Sequence, residues 1–137
     1  MFVRRRDDPP AIVKAPSWRE LAREAEVEVK AVLDELPQEL REAAGRLPVV
    51  YEPRPSAALV ADGLDPDLLG LFVGDPHSED GHGSALPPQI LLFVENLWEF
   101  AEGDPEIFLE EVETTYLHEL GHYLGLDEID LEERGLE

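Results

Sequence analysis

From Asp104 to Leu124 the large apolar residues Leu109, Val112, Tyr116, Leu120 and Tyr123 recur every three or four positions, the spacing of one face of an α-helix. Asp104 stands at the N-cap of that helix, Pro105 at its first position and Glu106 in its first turn, each favourable there. The same periodicity runs through Trp18, Leu21, Ala25, Val29, Val32, Leu33 and Leu36, behind a Ser17 and Glu20 pair at capping-box spacing. Pro37 ends or kinks this first helix, and Pro37 to Ala44 suits a shorter one that stops at Gly45. Between the helical segments lie three β-like runs: Leu47 to Glu52, closed by Pro53 and Pro55; Leu68 to Gly74; and Gln89 to Glu95, the strongest.

Ser56 to Asp67 mixes small residues with Gly and Pro and reads as loop. Asp75 to Pro88 is a longer loop, of the kind that is usually functional or disordered. Within it His77 and His82 are either surface histidines or a further metal donor. The strands on either side of it are expected to pair antiparallel, leaving an edge beside the long helix to which an extended peptide can add. Asn96 to Ala101 reads as a short helix with Trp98 and Phe100 as packing residues, ended by Gly103. The fold class is therefore α+β. Residues Met1 to Pro16, polar and with paired prolines, form an extended arm, and Ser17 to Glu137 are read as one domain, at a length that buries a core but does not divide into two.

The face of the long helix opposite its apolar stripe carries the chemistry. His118 and His122 are four residues apart and so share one face, in line with Glu111 and Thr115. They are placed outside the core, with two imidazole nitrogens available to a single ion. Glu119 lies about 100° further round the helix, displaced from the two histidines and placed to reach a water on that ion, the general-base position of a metallopeptidase. A catalytic zinc takes three protein ligands and keeps one position open for water. Too little sequence follows His122 for a second long helix to bring the third ligand, which points to a chain reversal just after it. Gly125 supplies the helix break. Glu128 then stands at the third-ligand position, with Asp127 and Asp130 as neighbours that could substitute. A merely solvated polar face would also leave both histidines outside the core, but it gives no account of the Gly and the acid that follow at regular spacing.

Composition narrows the partners. There is no cysteine, so a transition metal must be held by His and carboxylate. The net charge is −21, and the sequence has no Lys or Arg between Arg54 and Arg134. Nucleic acid is a poor partner for such a surface. The acidic half serves solubility, attraction of cationic peptide or protein substrates, or both. It also leaves no nearby cation of the protein's own to stabilise an oxyanion, a task that falls to the metal; Tyr116 is a further candidate, but it points with the apolar stripe and is read as a packing residue first. No apolar run approaches a membrane span, and the basic start Met1 to Arg6 is followed by Asp7-Asp8-Pro9-Pro10 where a signal peptide needs an apolar core. The expected location is the cytoplasm. The sequence is compatible with monomer and dimer alike.

His118 to Glu128, with Leu33-Asp34-Glu35-Leu36-Pro37, Leu69-Gly70-Leu71-Phe72-Val73-Gly74 and Leu86-Pro87-Pro88-Gln89-Ile90, resembles the short bacterial zincin-like metallopeptidases over most of the chain after about Trp18. Of these stretches only the first is mechanistically specific. The resemblance implies a minimal zincin fold: a small mixed or antiparallel sheet of about three strands packed on an N-terminal helix and a long C-terminal active-site helix. It implies Zn²⁺ held by His118, His122 and an acid that carries over to Glu128. The sequence departs from full metzincins in having an acid where they have a third His. It also has no Met-turn, its only Met being Met1. The expected function is hydrolysis of peptide bonds by metal-activated water with Glu119 as base. The alternative is a non-catalytic zinc-binding module that meets a protein partner through its acidic surface.

Overall fold

The computed structural model describes residues 16–74 and 87–124. Among these residues eight elements run in the order α1 (Trp18–Glu35), α2 (Gln38–Gly45), β1 (Val49–Glu52), α3 (Ala57–Ala61), β2 (Gly70–Val73), β3 (Gln89–Phe93), α4 (Val94–Phe100) and α5 (Pro105–Leu124). The expected α+β architecture is present: a three-stranded mixed sheet packed with helices.

Local chemistry sets most boundaries. The Ser17 hydroxyl accepts from the Glu20 amide at 3.2 Å, which starts α1. Asp104 Oδ1 accepts from the amides of Glu106 and Ile107 at 2.9 and 3.2 Å, which starts α5. Two expectations are corrected. Ser56 to Asp67 is not all loop, because the Ser56 hydroxyl caps the Leu59 amide at 3.2 Å and opens α3. The strand expected to reach Glu95 ends at Phe93 and passes directly into α4, two residues before the helix was expected.

β3 is the middle strand, in the order β1-β3-β2. β2 pairs with it antiparallel, as expected, with Gly70 opposite Leu92 and Phe72 opposite Ile90. β1 pairs with it parallel, Val49 opposite Ile90 through Glu52 opposite Phe93, a pairing that strand patterns alone do not reveal. Ile90 and Leu92 are fully buried and meet a core built from Leu21, Ala25, Val29 and Val32 of α1 and Phe108, Val112, Tyr116 and Leu120 of α5.

One buried polar residue ties the sheet to α4. Asn96 donates from Nδ2 to the carbonyls of Pro66 and Leu68 at 2.8 and 2.9 Å and accepts from Arg54 Nη1 at 2.7 Å. It thereby fixes the approach to β2 against the helix that follows β3. Arg54 also pairs with Glu95 and Glu99, which hold its guanidinium above its ordinary pKa, the Glu99 hydrogen bond contributing most. Trp98 packs edge-on to Phe108 with ring centroids 5.7 Å apart. Phe100, expected to pack as well, is 59% exposed, since α4 turns that side to solvent.

Candidate metal centre

α5 is buried over a wider arc than its stripe suggests, because it packs against α1 and α4 and also against β2 and β3. Phe108 and Leu117 join the buried set, and Thr115, expected on the polar face, is 8% exposed. The reason is β2. It covers that flank, and a Cβ on Gly70 would meet Thr115 Cγ2. Past Thr115 the polar face opens, and both histidines emerge from it.

His118 and His122 are exposed, with ring centroids 4.7 Å apart and planes inclined at 59°. Glu119 is nearly buried between the helix and the sheet, at 9% exposure. Its Oε1 accepts from the Phe72 main-chain amide at 3.1 Å and lies 3.5 Å from His122 Nδ1. One donor atom from each of His118, Glu119 and His122 falls within 4.8 Å of the others. Two imidazole nitrogens on one zinc ion stand about 3 to 3.5 Å apart for the usual bond lengths, so small side-chain rotations bring the pair onto an ion. Two neutral-capable imidazoles opening to solvent beside a carboxylate make a donor set suited to zinc. The residues present fit the metal.

Tyr116 takes no part in this cluster. It is 1% exposed, and burial pushes its hydroxyl up to about 12, so it is a core residue. Gly125, Asp127, Glu128 and Asp130 lie outside the described residues, as do His77, His82 and residues 1–15 of the expected N-terminal arm. The contribution of Phe72 was not foreseen: main-chain donors carry no mark in a sequence, and only the expectation of a strand edge beside the helix pointed toward it. Among the described residues no helix is long and apolar enough to cross a membrane.

Among the described residues, the longest helix of this α+β fold presents, beside the edge of a small sheet, a His-Glu-x-x-His group that could hold a metal ion. The comparison with known families agrees: the family model for zincin-like metallopeptidases matches residues 44–136. The chain belongs to the zincin-like metallopeptidase family. No curated protein matches it.

Proposed function

We propose that the protein is a zinc-dependent peptidase in which His118, His122 and Glu128 hold the ion and Glu119 is the general base. The observation that carries this reading is the placement of Glu119, a nearly buried carboxylate held between the β2 edge and His122 beside two exposed imidazoles. A zinc that only ties a fold together has no use for such a group and closes its fourth position with another protein ligand. Asp127 is the alternative third ligand, and the spacing after Gly125 favours Glu128.

When bound, zinc would supply Lewis acidity and a water of lowered pKa. The chain's own residues do the rest. His118 and His122 would hold the ion through their imidazole nitrogens on the exposed face of α5. Glu119 takes a proton from the attacking water and passes it to the leaving amine. An extended peptide lies along the open side of β2, where main-chain groups give affinity. The sequence between residues 55 and 133 has no Lys or Arg, and Arg54 is engaged with Glu95 and Glu99. Cationic peptides are therefore the favoured substrates, and nucleic acid is not a partner.

The test is bound metal and hydrolysis of a mixed peptide library by the zinc-loaded chain and by Glu119→Gln. The variant is expected to keep its zinc and lose turnover by about a hundredfold or more, the scale of a general-base contribution. Equal hydrolysis by both proteins would overturn the assignment.

A further inference from the structure

The register of β2 shows where its main-chain groups point. The Phe93 amide donates to the Leu69 carbonyl at 3.0 Å, which makes those two residues a hydrogen-bonded pair. In an antiparallel ladder such pairs alternate with non-bonded ones. Leu71 opposite Leu91 and Val73 opposite Gln89 are then bonded pairs, whereas Gly70 and Phe72 direct their N–H and C=O groups away from β3. Among the described residues β2 is an outer strand, so that direction is the sheet edge. At this edge the Phe72 amide meets Glu119 Oε1 at 3.1 Å, the length of an ordinary hydrogen bond.

We propose that the Phe72 main-chain amide is a positioning group for Glu119, an inference that rests on the peptidase reading above. A glutamate has three side-chain torsions, and an unrestrained carboxylate beside two exposed imidazoles would sample several orientations. An amide held by a β ladder is a donor that cannot rotate away. It fixes one carboxylate oxygen at the level of the strand on which a peptide would lie, and it links the distance between β2 and α5 to the aim of the base. The other contacts at this seam act in the same sense. Gly70 lets β2 approach Thr115, and the Phe72 ring lies 5.8 Å from that of Tyr123. The amide is thereby taken from the set that can bind substrate, and an added strand is left with Gly70 and the Phe72 carbonyl as its anchors.

The test replaces Phe72 in the full-length, zinc-loaded chain by its α-hydroxy acid analogue, which turns the amide into an ester and keeps the side chain. The same replacement at Leu71, whose amide belongs to the β2–β3 ladder, is the control. Loss of the Phe72 donor is expected to lower kcat about tenfold to a hundredfold, the worth of a hydrogen bond to a charged group, with KM and zinc content unchanged. The Leu71 ester is expected to lower thermal stability with a smaller effect on kcat. A raised KM at constant kcat would make the amide a substrate contact, and equal kcat losses in both esters would reduce it to a strut; either result overturns the proposal, as does an unchanged enzyme. Amide hydrogen exchange separates this proposal from the peptidase reading. Exchange at Phe72 is expected to be slow in the native chain and fast in Glu119→Ala. Equal rates overturn the proposal whether or not peptides are cleaved, whereas a native chain that cleaves nothing yet protects this amide through Glu119 refutes the peptidase reading alone.

Discussion

A Cβ built on Gly70 would stand 2.6 Å from Thr115 Cγ2, so β2 and α5 reach their observed separation only because residue 70 has no side chain. The Leu91 carbonyl oxygen, 3.2 Å from the same point, is a second tight contact. Gly70→Ala is expected to destabilise the fold by about 1–3 kcal/mol, the range for overpacking a tight contact. Thr115→Ser removes the clashing methyl, and the double variant should recover part of the loss. Urea unfolding of the four proteins in the cycle checks this, and strictly additive effects would contradict it.

Asn96 satisfies two main-chain carbonyls at 4% exposure. Asn96→Leu leaves both without a donor, and because Pro66 is exposed and its carbonyl can turn to water, the cost is about 1–3 kcal/mol, the penalty for one unsatisfied group. Because those carbonyls precede β2, the variant should also speed hydrogen exchange at Phe72. Exchange that stays slow would show that β2 holds its place without the clamp.

Burial raises the pKa of Glu28 above its ordinary value of 4.5, and the charge of Glu113, the hydrogen bond to it and the charge of Glu35 add to the shift. A carboxyl with a raised folded-state pKa favours the protonated form in the fold. Its contribution to stability is complete below the unfolded value and is lost as pH rises through the folded one. Glu28→Gln should therefore match the native melting temperature near pH 4 and exceed it at pH 7, by about 1–2 °C for a pair still partly open to solvent. A Tm deficit at neutral pH would reverse the sign.

Zinc is expected to raise the melting temperature, since a ligand that binds only the folded chain stabilises it by about 2.7 kcal/mol when its free concentration exceeds Kd a hundredfold. A chelator should reverse the rise, and His118→Ala or His122→Ala should remove most of it. Separate Ala substitutions at Glu128 and Asp127 assign the third ligand: the larger loss of zinc affinity is expected at Glu128, and the opposite ranking would give the role to Asp127.

Peptides carrying Lys or Arg near the cleaved bond should be turned over with higher kcat/KM than matched peptides carrying Glu. The gap should narrow with salt, as the screening length falls from about 30 Å at 0.01 M to about 3 Å at 1 M. A preference that ignores ionic strength would place the selectivity in a pocket instead of the field.

Much of this protein follows from local rules. Helical periodicity and end-capping residues marked α1, α2 and α5, and the four-residue spacing of His118 and His122 put both imidazoles on one face, because helix geometry is the same in any context. Their exposure agrees with the stripe that placed them outside the core. Local rules also erred where a residue's fate depends on its neighbours. Thr115 was assigned to the open face, and β2 covers it; Phe100 was assigned to the interior, and α4 turns it outward.

What the sequence by itself determined is the chemistry available: two imidazoles and a carboxylate on consecutive turns, no thiol, and no Lys or Arg anywhere between Arg54 and Arg134. What only the tertiary structure decided is how that carboxylate is held. A parallel β1 places β3 in the middle, β2 becomes the edge, and the glycine at residue 70 lets that edge come down on α5 until the Phe72 amide reaches Glu119. Strand order and main-chain donors arise from contacts between residues far apart in sequence, and no periodicity records them.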